Sequence, residues 1–425
     1  MILVASTYWG KIPFWFTRPP EHARADVVAL RTDDFRVIRG LAWSPAAGPP
    51  PTTWFVVMHP RVDFSHHYTV PGLVAAGFGV LAMASRHVGN DTMAEHEEML
   101  LDVAAAVRHA RDRRGAARLI LLGNSGGGSL LTFYQAQAAL APDRRLTTSP
   151  GGAPTRFEGA RMPEADALVL LAAHRGQGKV LLDCIDPSVT DEADLRSCDP
   201  SLDMYDPDNG FCPPPAWSTY TPQLVTRYRA AQRARVERLD ARAREIVASH
   251  GEASRACDAP GFGDLPERER RELLRARASE PVMVVYRTMA NLAYVDRTIE
   301  PSDRAYGSLL SDRPDLMNYA ALGFARTVTA RAWLSTWSGL SSRADLVENA
   351  RGVRVPSLVV HAGADREVYR GRDAEAAHAA LASEDKELVV IEGARHYFEP
   401  PPGEKTSPDV DRAVDVIVRW AKERA

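Results

Sequence analysis

The chain lacks several features that mark particular classes of protein. Four cysteines among 425 residues are too few for a disulfide-dense secreted scaffold. No run of 18 apolar residues occurs, which argues against a membrane-spanning helix. The 52 basic and 55 acidic side chains leave a formal net charge of -3, too small to attract nucleic acid or an acidic membrane over a long range. We therefore expect a small-molecule substrate, with no nucleic-acid or membrane partner.

The N-terminal segment also lacks the pattern of a secretory signal. It has no basic region at its start, and Lys11, Pro13 and Arg18 interrupt its apolar residues before a signal core is formed. We predict a cytoplasmic protein on this ground. The segment is rich in aromatic residues that would suit either closure of a lid or a subunit contact, so the oligomeric state, including a homodimer, stays open: Tyr8, Trp9, Phe14, Trp15 and Phe16.

The cysteines and histidines form no metal-binding pattern. No C-x-x-C pair occurs, which disfavours a structural zinc site and leaves free thiols or one or two local disulfides as the alternatives. The loop that contains His59, Asp63, His66 and His67 matches no metal-ligand spacing either. The sequence predicts no metal. The four cysteines all lie in one stretch of the chain: Cys184, Cys198, Cys212 and Cys257.

The pattern of apolar residues predicts an α/β fold. Hydrophobic residues make up 45% of the chain and charged residues 25%, as in folded, water-soluble proteins. Short apolar runs, each followed by a stretch of helical periodicity, recur before residue 175 and again after residue 353. This alternation is typical of a mainly parallel sheet flanked by helices. The predicted strands, of which the first two form an antiparallel hairpin, are 26–30, 36–43, 54–58, 79–83, 119–122, 167–172, 357–361 and 387–391.

The stretch between the two halves of this pattern differs from them in composition. Residues 176–345 contain proline-rich turns and long helical stretches with many arginines, so we predict a large, mostly helical cap inserted after the sixth strand, between core segments 1–175 and 346–425. Acidic residues alternate with the arginines of 225–247, which favours a solvated, salt-bridged helix over a nucleic-acid surface. Aromatic and methionine side chains of the cap suit a bulky or hydrophobic ligand.

One motif carries recognisable chemistry. The predicted strand 119–122 runs into Gly123-Asn124-Ser125-Gly126-Gly127 and then into a helical stretch, which is G-x-S-x-G in a strand, turn and helix context. A tight turn exposes the serine hydroxyl, and glycines two positions away avoid a clash. The N-terminal dipole of the following helix favours the negative charge that develops in acyl transfer. Ser125 is therefore the predicted nucleophile.

A base and a carboxylate follow in the order that a serine nucleophile requires. Asp365 lies in the turn after strand 357–361, and His396 lies in the loop after strand 387–391. His396 is the predicted general base and Asp365 the residue that orients it, with Glu367 as the reserve acid. With this order and this strand context, the chain resembles the α/β-hydrolase superfamily of serine hydrolases, its esterase-like members in particular. The resemblance covers the core segments and does not extend into the cap.

The resemblance also implies two backbone donors for an oxyanion. One is the N–H of Gly126, directly after the nucleophile, and the other comes from the loop after the third strand. That loop reads Met58-His59-Pro60-Arg61, with proline where the superfamily commonly has glycine. Because proline has no N–H, the second donor is predicted to be the main chain of Arg61.

These residues predict a serine hydrolase that cleaves a carboxylic ester without a metal or organic cofactor. The same residues would also serve an amide, lactone, thioester or carbon–carbon bond, or acyl transfer to an alcohol, because the motif identifies the nucleophile and not the bond. A hydrolase fold that only binds a ligand is a further alternative from another class.

Overall fold

The computed structural model describes residues 19–400 and 407–424, so the aromatic N-terminal stretch lies outside the described residues. The chain begins with the predicted hairpin. β1 (Ala23–Arg31) pairs antiparallel with β2 (Val37–Pro45), with Leu30 opposite Ile38. The turn between them is closed by the side chain of Thr32, whose hydroxyl accepts from the N–H of Arg36 over 3.0 Å.

The remaining strands of the sheet are parallel to one another. They are β3 (Thr53–His59), β4 (Gly79–Ala84), β5 (Arg118–Asn124), β6 (Ala167–Leu171), β9 (Ser357–Ala362) and β10 (Lys386–Ile391). Across the sheet the order is β1-β2-β4-β3-β5-β6-β9-β10, and only the pairings of β2 with β1 and β4 are antiparallel. The predicted mainly parallel sheet is confirmed, and every predicted strand corresponds to one of these.

Helices cover both faces of the sheet. Side chains of each buried strand alternate between two cores: in β5, Leu119 and Leu121 face one and Ile120 and Leu122 the other. The first core is completed by helices α2 (His96–Arg114) and α3 (Gly126–Ala138). The second is completed by α1 (Val70–Ala75) and α11 (Pro408–Glu423). Because both faces are buried, these strands read as continuous apolar runs, as in other parallel sheets.

The chain leaves the sheet between β6 and β9. This long insertion has an apolar core of its own, built around Tyr228, Met289 and Trp333, and it is mostly helical, as predicted. The boundaries 176 and 345 stay a prediction. The helix α9 (Leu346–Ala350) returns the chain to β9, and α10 (Ala376–Ala380) connects β9 to β10. The regular elements of the insertion are α4 (Gln177–Cys184), α5 (Pro222–Asp258), α6 (Glu267–Ala278), β7 (Val282–Val284), α7 (Pro314–Met317), β8 (Thr327–Thr329), α8 (Ala330–Ala332) and a π-helix (Trp333–Trp337).

The arginine-rich stretch lies on α5, a helix of 37 residues. Arg233 pairs with Glu237 on its solvated side, as expected for a salt-bridged helix face. Arg235 differs from that expectation, because it is fully buried and donates to the Glu192 carboxylate and to the carbonyl of Asp186. The periodicity alone does not distinguish a buried arginine with partners from a solvated one.

Two further sequence questions are answered by the described residues. Each of the four cysteines is a free thiol, and Cys184 and Cys257 are buried, so the local disulfides left open above do not form here. No helix in the part of the chain that the structure describes has the length and apolar character needed to cross a membrane.

Candidate active site

Ser125 occupies the sharp turn between β5 and α3. Its backbone has φ 53° and ψ -125°, a strained conformation for a residue with a side chain, and its N–H donates to the Leu171 carbonyl over 3.1 Å. A Cβ built on Gly123 would lie 2.6 Å from the Gly127 carbonyl oxygen, and one built on Gly127 would lie 2.5 Å from that of Met58. Both glycines of the motif are therefore required by backbone contact.

The three residues predicted to act together form one hydrogen-bonded chain. Ser125 Oγ lies 2.9 Å from His396 Nε2, and His396 Nδ1 lies 2.7 Å from Asp365 Oδ2. All three are about 2% exposed. Asp365 follows β9 and His396 follows β10, so strand ends far apart in sequence bring these side chains to the elbow.

Asp365 is held by its own turn. Its Oδ1 accepts from the N–H groups of Glu367 and Val368 over 2.8 and 3.1 Å, which leaves Oδ2 for His396. Burial alone would lower the pKa of His396, but the Asp365 carboxylate and its hydrogen bond outweigh it and raise that pKa above its ordinary value. The pair thus favours the protonated imidazolium that forms when a base accepts a proton.

The reserve acid Glu367 also lines the pocket over Ser125, but its hydrogen bonds go to the insertion. Its Oε2 accepts from the hydroxyl of Tyr294 over 2.7 Å, and its Oε1 accepts from the N–H of Leu309 over 3.0 Å. Burial raises the pKa of Glu367 to about 7. Glu367 therefore anchors the insertion at the pocket, and its carboxylate is not the hydrogen-bond partner of His396 Nδ1.

The two predicted oxyanion donors differ in the structure. Gly126 is the first residue of α3, a position whose N–H has no acceptor within the helix. The backbone N–H of Arg61, in contrast, donates to His59 Nδ1 over 3.0 Å, and that of Val62 does the same. The role of Arg61 as the second donor stays a prediction, and in this structure its N–H is already bonded to the His59 ring within the loop.

The side chain of Arg61 connects this loop to the insertion. It is 3% exposed and donates to Asp91 from Nε over 2.7 Å and from a terminal nitrogen over 2.5 Å. Its guanidinium also lies 4.5 Å from the ring centroid of Trp337, which is within cation–π range. The loop after β3 is thus clamped between the core and the insertion.

Polar and apolar side chains together line the pocket over Ser125. The polar lining includes His59, His174, Gln177 and Glu367, and burial is the largest cause of the lowered pKa of both histidines, to about 3 for His174. No sequence motif pointed to His174 or Gln177. Of the aromatic cap side chains predicted to suit a hydrophobic ligand, Phe324 and Trp337 line the pocket. The apolar lining comes from the insertion: Val180, Leu309, Leu310, Phe324 and Trp337.

Comparisons with known proteins support the architecture. No protein-family model and no curated protein sequence matches the chain. Among solved structures, DcsB in complex with its substrate analogue is 12% identical, with a TM-score of 0.50 over 95% of this chain and 100% of that one. The esterase domain of a Rhodothermus marinus protein is 14% identical (TM-score 0.42, 94% and 99% covered). Brefeldin A esterase, described as a bacterial homologue of human hormone-sensitive lipase, is 13% identical (0.44, 98% and 81%).

At these identities a structural likeness carries information on the fold alone. The likeness to DcsB runs over nearly the whole chain. The mainly parallel sheet, the helices on both its faces and the turn from β5 into α3 are features that the resemblance stated above implies. The chain therefore has the α/β-hydrolase fold that its sequence predicts, with a large insertion between β6 and β9.

Proposed function

We propose that this protein is a serine hydrolase that cleaves a carboxylic ester through an acyl-enzyme on Ser125. The observation that carries the proposal is the buried chain of hydrogen bonds from Ser125 to His396 to Asp365, with the serine on a strained elbow at the start of α3. A serine hydroxyl needs such a base before it can attack a carbonyl. No metal or organic cofactor is required by this chemistry.

The reaction then proceeds in two halves. In the first, Ser125 Oγ attacks the ester carbonyl carbon while His396 Nε2 takes its proton, and Asp365 stabilises the resulting imidazolium. The tetrahedral intermediate collapses, the bond to the alcohol oxygen breaks, and His396 returns the proton to the leaving alcohol. In the second, His396 removes a proton from water, the hydroxide attacks the acyl-enzyme, and Ser125 is released with its proton restored.

The lining of the pocket supports an ester with a hydrophobic part. Side chains of the insertion supply the apolar part of the lining, Phe324 and Trp337 among them. Apolar walls with a few polar groups are typical of small-molecule sites. We propose that the insertion, predicted as a cap over 176–345, covers this pocket. A cytoplasmic location remains part of the proposal.

A fluorophosphonate probe beside a panel of p-nitrophenyl esters of increasing acyl length tests the proposal. Wild type is expected to label and to turn over, and Ser125→Ala to do neither while its thermal stability stays nearly unchanged. Ser129→Ala is the matched control: it removes a buried hydroxyl of α3 that donates to the Gly126 carbonyl over 3.0 Å, and it should still label.

The other outcomes separate the alternatives. Labelling of Ser125 without ester turnover would redirect the search to amides, lactones, thioesters, carbon–carbon bonds or acyl transfer. Absence of labelling in a folded wild-type protein would contradict the proposed nucleophile and favour a ligand-binding protein.

A further inference from the structure

His59 is the last residue of β3 and is 1% exposed. Its Nδ1 accepts two backbone hydrogen bonds, from Arg61 and Val62, each over 3.0 Å. A ring nitrogen that accepts a hydrogen bond carries no proton, so the neutral ring must carry its proton on Nε2. The loop after β3 thus fixes the tautomer of His59.

The opposite ring atom is a buried donor without an acceptor. Within the described residues, His59 Nε2 has no hydrogen-bond partner, although a buried polar group is costly to leave unpaired. The ring lines the same pocket as Ser125 and His396. A Cβ built on Gly126, directly after the nucleophile, would lie 2.9 Å from His59 Nε2.

The sheet order puts this donor on the side of Ser125 away from the base. β3 is one neighbour of β5, whereas β6, β9 and β10 follow on the other side, and Asp365 and His396 come from the ends of β9 and β10. The oxygen of a carbonyl attacked by Ser125 must point away from the base that takes the serine proton, towards the β3 side. His59 Nε2 is on that side.

The charge state of His59 suits such a donor. Burial, together with the positive charge of Arg61 and the neighbouring His174 and His396, lowers the pKa of His59 well below its ordinary value. The ring therefore stays neutral at the pH at which His396 acts as a base. It can donate a hydrogen bond without competing for the proton of Ser125.

We infer that His59 Nε2–H is the second oxyanion donor, beside the Gly126 N–H, and that it takes the place expected for the Arg61 main chain. The inference rests on the proposed function. The proton stays on His59 throughout, and the hydrogen bond forms to the carbonyl oxygen as negative charge develops on it. His59 would thus be a catalytic residue of this site, supplied by a side chain where a backbone N–H was expected.

Two substitutions of His59 test the acceptor role of Nδ1 and the donor role of Nε2 separately. In His59→Asn, the side-chain oxygen can occupy the position of Nδ1 and keep the hydrogen bonds from the loop, but the donor at Nε2 is lost. In His59→Gln, the amide nitrogen reaches the position of Nε2 while the Nδ1 acceptor is lost. We expect His59→Asn to lower kcat by about 10²- to 10³-fold, with KM changed by less than about threefold, and His59→Gln to retain at least about tenfold more activity.

The rate of Ser125 inactivation by a fluorophosphonate is the second readout, because its phosphoryl oxygen would accept the same hydrogen bonds whatever the natural ester. We expect it to fall in His59→Asn and to stay near wild type in His66→Asn, a matched control on the same loop whose ring contacts Trp43. His174→Asn tests a rival donor, since His174 Nδ1 also accepts a backbone N–H, that of Gly176 over 3.0 Å.

The outcomes distinguish the inference from the proposed function. If wild-type Ser125 does not react with the probe, the proposed function fails and the inference fails with it. If wild type reacts but His59→Asn stays within about threefold of it on both readouts, the inference alone is overturned. A greater loss in His59→Gln than in His59→Asn would assign His59 to loop structure, and a loss confined to His174→Asn would assign the donor to that residue; either result overturns the inference.

Discussion

Two sets of loops meet at Ser125, and they use hydrogen bonds differently. The loops after β9 and β10 contribute side chains that pair with each other and with the serine, through Asp365 and His396. The loop after β3 folds onto His59, whose Nδ1 accepts from the N–H groups of Arg61 and Val62, just as Oδ1 of Asp365 accepts two backbone N–H groups of its own turn. The remaining atoms differ: Asp365 Oδ2 pairs with His396, whereas His59 Nε2 has no hydrogen-bond partner within the described residues.

This difference shows why the two loops need different tests. Asp365 and His59 each hold their own loop, so a substitution must keep the atom that accepts the backbone N–H groups. Asp365→Asn keeps such an oxygen, and the turn is also stabilised by the N–H of Asp365, which donates to the carbonyl of Ala362. His59 is proposed to contact the substrate itself, so two variants are needed there to separate loss of the loop from loss of the donor.

The largest effect beyond loss of the nucleophile is expected at Asp365. Asp365→Asn removes the charge that supports imidazolium formation and can turn an N–H towards His396, so kcat should fall by about 10⁴-fold, more than in His59→Asn. Steady-state kinetics on the best ester of the panel measures this. Glu367→Gln is the matched control two residues away. A severe loss there with a mild one at Asp365 would move the acid to Glu367.

The pH profile sharpens the comparison, because the two histidines are expected to titrate differently. His396 must be neutral to act as a base, and its pKa is raised by Asp365 above the ordinary histidine value. We therefore expect kcat/KM to fall about tenfold per pH unit below that raised pKa. His59, whose pKa is lowered by burial, should add no second step in the same range. A profile that is flat from pH 5 to 8 would contradict the role of His396.

Much of this site is predictable from sequence, because a short motif and the positions of strand ends determine it. The elbow depends on contacts within a few residues, such as that of Gly123 with Gly127, so G-x-S-x-G in a strand and helix context identifies Ser125 directly. Asp365 and His396 follow because the carboxyl ends of parallel strands meet at one edge of the sheet. Strands buried on both faces are recognisable as apolar runs for the same physical reason.

The rest depends on partners that are distant in sequence. The periodicity of α5 does not reveal that Arg235 is buried against Glu192, 43 residues away. Nothing in the apolar pattern of the insertion separates Trp337, which lines the pocket, from Trp333, which packs in the core of the insertion. The donor proposed at His59 has no signal in the sequence, because the imidazole accepts the N–H groups of Arg61 and Val62 only once the loop has folded.

The smallest effect on activity is expected at Glu367, where stability should respond instead. Burial raises the pKa of Glu367 to about 7, whereas an unfolded glutamate has a pKa near 4.3. Below the unfolded value both states are protonated, and as the pH rises from there to about 7 the unfolded state ionises first. The folded state is therefore destabilised over this window, by on the order of 4 kcal/mol.

Glu367→Gln removes this titration while keeping an acceptor for Tyr294 or Leu309. We expect its free energy of unfolding, relative to wild type, to be higher at pH 8 than at pH 5, with kcat within about threefold of wild type. Urea denaturation at the two pH values measures the difference. Asp365→Asn is the comparison variant. Of these two carboxylates, which lie two residues apart, Asp365 should control turnover and Glu367 the pH dependence of stability. An equal stability difference at both pH values would mean that Glu367 stays ionised in the folded protein, held by Tyr294 and the Leu309 N–H.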